Sequence, residues 1–245
     1  MRNLLAIYRL FRFCLHVLYG LALIKLRFGR LDLPARHLHI KRWSRGMLKI
    51  FGVTLEVSGL AARPGPKLLV ANHISWLDIA AVHAVIPEAR FVSKADVKHW
   101  PVVGWLVDGV GTLFIERASK RDALRVVHQT AEALKAGDTV AVFPEGTTSA
   151  GPELLPFHGN LLQAAISTET PLQPLVLRWF EPGERFSSSA RFVGDTTLVQ
   201  SLWRVLTAKG LSVKVQVPPM ATAHADRRLL AEHVRDEIQQ GLNLS

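Results

Sequence analysis

Apolar and polar positions follow two different patterns on either side of residue 52. Beyond it, short β-rich runs recur at Val53 to Val57, Leu68 to Ala71, Arg90 to Ser93, Thr112 to Glu116, Thr139 to Phe143, Leu172 to Leu177 and Leu211 to Val217, separated by stretches with helical spacing. This alternation predicts an α/β fold in which a mixed central sheet is covered by helices. The clearest helix runs from Lys120 to Ala136. Leu124, Val127, Ala131 and Leu134 share one face, Ser119 and Asp122 offer a capping pair, and Gly137 supplies the stop. There is no internal repeat, and the loop from Ala61 to Pro66 is too short to separate domains, so residues 53–245 read as one unit.

The first 52 residues read differently. Leu4 to Leu26 is mostly apolar, but Arg9, Arg12, His16 and Lys25 interrupt it, whereas a spanning helix wants about 20 nearly unbroken apolar residues. The pattern predicts an interfacial or re-entrant anchor, with the arginines at lipid headgroups and Leu4, Leu5, Leu10, Phe11 and Phe13 in the acyl region. No small-residue cleavage site follows Phe13 to Ile24, so a secretory leader is a poor match. After a Leu-Asp-Leu-Pro turn, the segment from Arg36 to Phe51 places Ile40, Trp43, Met47 and Ile50 at helical spacing, with Arg42, Arg45 and Lys49 on a second row. This is the pattern of a basic amphipathic helix. Residues 1–52 therefore read as a membrane-associating helical region.

Composition narrows the function classes. The chain is 49% apolar and 20% charged, enough for one sizeable core. Its net charge of +10 calls for an anionic partner: nucleic acid, anionic lipid or an acidic carrier protein. No nucleic-acid-binding motif accompanies that charge, so nucleic acid is not expected. Cys14 is the only cysteine and cannot form an intrachain disulfide; no cluster has metal-ligand spacing, so neither a metal nor a bound cofactor is expected. A reducing, cytosolic setting fits the globular part.

The chemistry concentrates at Ala71-Asn72-His73-Ile74-Ser75-Trp76-Leu77-Asp78, where an apolar strand gives way to a helical stretch, the position at which open α/β sheets hold ligands. Residues five apart on one helix point about 140° apart, so His73 and Asp78 can meet only if a loop comes first. With Ser75 as N-cap and a helix starting at Trp76, Asp78 falls in the first turn and His73 stays on the loop, free to fold back on the carboxylate. An imidazole oriented by a carboxylate can take a proton from an alcohol as it attacks an acyl carbon. A plain capping box with a strand-end histidine would use the same residues. Gly-x-Ser-x-Gly occurs nowhere, which counts against a serine hydrolase. His83, His99, His128 and His158 have no evident partner at useful spacing and are assigned no role.

Further motifs, in order, decide between these readings. Asn72-His73 with Ser75 and Asp78, then Ser93-Lys94, Trp100-Pro101, Gly104, Gly111 and Phe114-Ile115-Glu116-Arg117, then Phe143-Pro144-Glu145-Gly146-Thr147, and finally Pro174 resemble the four ordered blocks of the glycerolipid acyltransferase family. The resemblance runs from about Trp43 to Leu177. It implies His73 as base and Asp78 as its orienter, with Asn72, Ser75, Lys94, Arg117, Glu145, Gly146 and Thr147 in substrate binding. It also implies transfer of a fatty acyl chain from an acyl carrier protein or coenzyme A thioester to a lysolipid, at the cytoplasmic face of the inner membrane. 1-Acylglycerol-3-phosphate is the first expected acceptor. One departure bears on that choice. The family's third block usually reads Phe-Pro-Glu-Gly-Thr-Arg-Ser, and Thr148 stands where the arginine would fall. A lost guanidinium weakens a dianionic headgroup site and brings lyso-ornithine lipid forward as the alternative, unless Lys94, Lys120 or Arg121 replaces it.

Overall fold

The computed structural model describes residues 2–59, 65–115, 120–221 and 226–244, with backbone alone at 120–123. In chain order the elements are α1 (Arg2–Leu26), α2 (Leu33–Phe51), β1 (Thr54–Gly59), β2 (Lys67–Ala71), α3 (Asp78–His83), β3 (Ala89–Lys94), α4 (Val103–Gly109), β4 (Leu113–Ile115), α5 (Lys120–Lys135), β5 (Thr139–Val142), α6 (Leu162–Ser167), β6 (Leu172–Phe180), α7 (Leu198–Thr207), β7 (Ser212–Val217) and α8 (Arg227–Leu244). All seven expected strands form, with ends shifted by a few residues at most. The proposed cap of α5 at Ser119 and Asp122 lies outside the described residues, as does Arg117.

The strands make one sheet in the order β1-β7-β6-β2-β5-β3-β4. Among the described strand pairs, only β6–β7 is antiparallel. β2 and β5 are buried at every residue, which is why Leu68-Leu69-Val70-Ala71 and Thr139-Val140-Ala141-Val142 read as unbroken apolar runs rather than as alternation. Helices cover both faces. Residues of α1, α2, α3 and α7 share a core with Leu69, Leu175, Leu177, Trp179 and Val213. Residues of α5, α6 and α8 share the opposite core with Leu68, Val70, Val140 and Val176. The loops that follow β2, β5, β3 and β6 leave the sheet at one end, since those four strands run parallel.

The N-terminal region forms two long helices. α2 starts at Asp32, whose carboxylate accepts the Ala35 N–H at 2.9 Å, and stops at Gly52 in the left-handed conformation. α1 runs unbroken through its charged positions and, with the 3-10 turn at Phe28–Arg30, is long and apolar enough to cross a membrane by length and composition. Its two sides differ. Ala6, Phe13, Gly20 and Leu23 face protein, while Leu4, Tyr8, Phe11, Leu15 and Leu18 form an exposed apolar stripe at helical spacing.

One charged position of α1 does not go where the sequence suggested, and one polar position finds a partner that no spacing revealed. Arg9, expected at lipid headgroups, instead donates from Nη1 to the Leu206 carbonyl at 2.9 Å, in the last turn of α7, and its guanidinium lies over Gly52. A cation at a helix C-terminus answers both the free carbonyls and the helix dipole. His16 stacks on Trp43 at 4.9 Å, and Trp43 Nε1 donates to the His16 carbonyl at 3.0 Å. Gly20 and Gly46 permit that approach, since a Cβ would fall 2.5 Å from Trp43 Nε1 at one and 2.9 Å from His16 Cε1 at the other. Replacing Arg9 with Ala should lower stability by about 1–2 kcal/mol, with Arg9→Lys intermediate. Denaturant unfolding of the full chain in detergent measures this, and an unchanged midpoint for Arg9→Ala would show that the cap contributes nothing.

Candidate active site

Where β2 ends, Asn72 leaves the backbone ladder but keeps pairing with β6 through its side chain. Its Nδ2 donates to the Leu177 carbonyl at 2.8 Å and its Oδ1 accepts the Leu177 N–H at 2.8 Å. Asn72 is fully buried and its amide is occupied on both sides, so it fixes the start of the loop instead of reaching a ligand. Residues 73–75 then cross the end of the sheet, and a turn at Trp76-Leu77 leads into α3 at Asp78, two residues later than the expected helix start. The capping logic survives that shift. The Ser75 N–H donates to Asp78 Oδ2 at 2.9 Å, and Ser75 Oγ accepts the Leu77 N–H at 3.3 Å. Ser75 is also fully buried and serves the loop.

His73 does fold back on Asp78, with Nδ1 2.8 Å from Asp78 Oδ2. The same carboxylate accepts the Ile74 N–H at 2.7 Å and, on Oδ1, the indole N–H of Trp179 at 2.6 Å. Four N–H groups thus converge on a fully buried carboxyl group. An acceptor surrounded by donors sets the histidine tautomer: Nδ1 carries the proton and Nε2, on the far side of the ring, is the basic atom. The ring lies flat against Phe143 at 4.0 Å, and the side chain keeps 19% exposure. Trp179 has no signal in the sequence. Its place opposite Asp78 comes from β6 running beside β2, 101 residues away.

The loop after β5 holds the other side of His73. Glu145, expected to touch the acceptor, accepts the His73 N–H on Oε1 at 2.7 Å and the Leu155 N–H on Oε2 at 3.0 Å. It is buried, and that burial pushes its carboxyl pKa up, against the lowering pull of those two hydrogen bonds, of Ser149 and of the His73 charge. Ser149 N–H donates to the His73 carbonyl at 2.7 Å. The third block therefore clamps both backbone groups of His73. Gly146, at φ 72°, turns the chain, and with Thr147 and Thr148 it borders the cavity beside His73. The Thr148 hydroxyl donates to the Phe192 carbonyl. Lys94, at the end of β3, lies on the cavity rim and is exposed.

That cavity, of about 780 Å³, runs between the helices of the N-terminal region and the sheet. Its walls are mainly apolar: Phe13, Val17, Met47, Ile79, Val103 and Leu106 are representative. His83, which has no partner at useful sequence spacing, lines it too. Its Nε2 donates to the Ala89 carbonyl at 2.8 Å, and burial drives its pKa down to about 4, so near neutral pH it adds no charge to the apolar wall. The arrangement offers one general base at the mouth of a slot shaped for a hydrocarbon chain. Replacing Trp179 with Phe removes one donor from a buried carboxylate, at about 1–3 kcal/mol, and should lower kcat about 10- to 100-fold with KM little changed. Steady-state kinetics on the folded variant decides; an unaltered kcat would mean that the other three donors suffice.

Comparison with known proteins agrees with this geometry. Residues 54–178 match the family model described as Acyltransferase. The chain is 36% identical over 210 residues to the lyso-ornithine lipid O-acyltransferase of Pseudomonas aeruginosa, covering 85% of this chain and 80% of that protein. It is equally, 36%, identical over 203 residues to the 1-acyl-sn-glycerol-3-phosphate acyltransferase of Neisseria meningitidis, covering 80% and 77%. In fold it matches the crystal structure of the 1-acyl-sn-glycerophosphate acyltransferase of Thermotoga maritima, with a TM-score of 0.77 at 20% identity over 100% of this chain and 97% of that one. Fold, ordered motifs and relatives concur, and the chain belongs to the acyltransferase family.

Proposed function

We propose that this enzyme transfers a fatty acyl group from an acyl carrier protein or coenzyme A thioester to the free hydroxyl of a lysolipid, with His73 as general base and Asp78 as its orienter. The observation that carries the mechanism is the His73–Asp78 pair, 2.8 Å apart, at the mouth of an apolar cavity. His73 Nε2 takes the hydroxyl proton as the oxygen attacks the thioester carbonyl. The C–S bond then breaks, and the departing thiolate collects the proton from the imidazolium. The cavity receives an acyl chain. Lys94 on the rim, together with Arg117, is assigned to the acceptor headgroup, with Gly146 and Thr147 bordering it. Asn72, Ser75 and Glu145 act through the backbone around His73.

The acceptor proposed is 1-acylglycerol-3-phosphate. One observation favours a second reading, lyso-ornithine lipid: Thr148 replaces the expected guanidinium and turns its hydroxyl to the Phe192 carbonyl. The exposed stripe of α1 suits the headgroup and acyl boundary of a bilayer, and the excess of Lys and Arg suits an anionic leaflet and an acidic carrier. The lone Cys14 fits a catalytic unit on the cytoplasmic face.

His73→Ala should remain folded and lose transfer by about 10²- to 10⁴-fold, the usual contribution of a positioned base. Transfer from one labelled thioester to lysophosphatidic acid and to lyso-ornithine lipid, for wild type and Thr148→Arg, reports both mechanism and acceptor. Near-normal turnover of His73→Ala would sink the mechanism. The phosphate acceptor should be preferred by wild type; preference for lyso-ornithine lipid, shifted toward phosphate by Thr148→Arg, would establish the second reading.

A further inference from the structure

The described surface carries a second exposed apolar cluster besides the stripe of α1, whose outward face the acyl-transfer mechanism does not use. A 3-10 turn at Ala95–His99 leads through Trp100-Pro101-Val102 into α4. Trp105 is 70% exposed, Trp100 44% and Val102 38%. Exposed tryptophans this close together are unusual on a surface that meets only water.

The backbone holds this cluster in a fixed shape. Val102 sits at φ 67° and ψ −54°, and the Val103 N–H donates to the Pro101 carbonyl at 2.7 Å, which together make a γ-turn of the strained, positive-φ kind. A β-branched residue is among the worst suited to that conformation. Two further bonds close the knuckle: Gly104 N–H to the Trp100 carbonyl at 2.9 Å and Leu106 N–H to the Val102 carbonyl at 3.2 Å. Gly104 also packs so tightly on the Lys98 carbonyl that no Cβ would fit. A strained turn that presents valine to the outside, flanked by two tryptophans, needs an apolar medium to face.

Three observations identify that medium as a bilayer. First, the cluster adjoins α1. α4 packs on the C-terminal half of α1, where a Cβ on Gly109 would fall 2.6 Å from Ile24 Cγ2 and one on Gly20 3.2 Å from Leu106 Cδ2. Second, its composition is interfacial. Tryptophan is the residue of the headgroup boundary, and the exposed Lys94 and Lys98 stand beside the cluster. Third, Trp100, Val102, Val103 and Leu106 also line the apolar cavity, so the same segment is both outer surface and inner wall.

We infer that residues 95–109 form a second membrane-contact element, which dips Trp100, Val102 and Trp105 into the acyl boundary beside α1 and so seats the cavity rim in the lipid. This rests on the reading of the chain as a membrane-associated lysolipid acyltransferase. A lysolipid can then pass from bilayer to cavity without exposing its chain to water.

The test uses the full chain with Cys14→Ser, carrying either Trp105→Cys or Leu15→Cys labelled with an environment-sensitive fluorophore, and vesicles of phosphatidylethanolamine and phosphatidylglycerol containing lipid-borne quenchers. Both labels should shift to the blue and be quenched. Quenching at 15 with an aqueous label at 105 overturns the inference and leaves the α1 anchor standing; quenching at neither removes the membrane reading itself. A label at 105 that turns apolar without vesicles, as protein concentration rises or on adding acyl thioester, would mean that a second copy or a closing lid covers the face, and would also overturn it. As a second measurement, Trp105→Ser in the unlabelled chain should weaken vesicle binding about tenfold while turnover of a detergent-dispersed lysolipid stays within about twofold. Unchanged vesicle binding would refute the inference independently of any label.

Discussion

A carboxylate buried away from water is tolerable only if its lone pairs are met, and at Asp78 that requirement organises the whole end of the sheet. Its donors are the His73 ring, the backbone of Ile74 and Ser75, and the indole of Trp179 from a neighbouring strand. Taking away one of these donors costs about 1–3 kcal/mol, so the loop, the helix start and the register of β6 are tied to one another. Asn72 reinforces this by bonding both Leu177 backbone groups, which keeps β6 in the register that brings Trp179 over the carboxylate. The imidazole is held by the same set of bonds that holds the fold.

The strands and the His73–Asp78 contact are legible in the sequence because both follow from local rules: unbroken apolar runs mark buried parallel strands, and a capping pattern after a strand leaves the preceding residue on a loop. Contacts set by distant pairing are not. Trp179 meets Asp78 across 101 residues, Arg9 meets Leu206 across 197, and neither carries a spacing signal. Glu145 shows a subtler failure. Its motif is recognisable, but whether its carboxylate faces ligand or backbone depends on the path of the β5 loop, and here it holds the His73 N–H. His83 has no side-chain partner at useful spacing because its partner is the backbone carbonyl of Ala89, a group no side-chain pattern reveals.

The N-terminal helices show how one segment serves two environments. Glycines on the protein side let α1 lie close on Trp43 and Arg9 close on Gly52, while large apolar residues are kept for the outer stripe. The cavity is walled by α1 and α2 on one side and by α3, α4 and the end of β3 on another.

The bond from Arg9 to the end of α7 also has a consequence for biosynthesis. Helix α1 is synthesised well before the α7 carbonyl, 197 residues downstream, that receives Arg9, so during translation it has neither that partner nor the β-sheet core to lie against. Its apolar stripe would be an aggregation hazard in water for most of that interval. A lipid surface that receives the nascent helix early would hold it out of solution until α7 arrives to lock it in place.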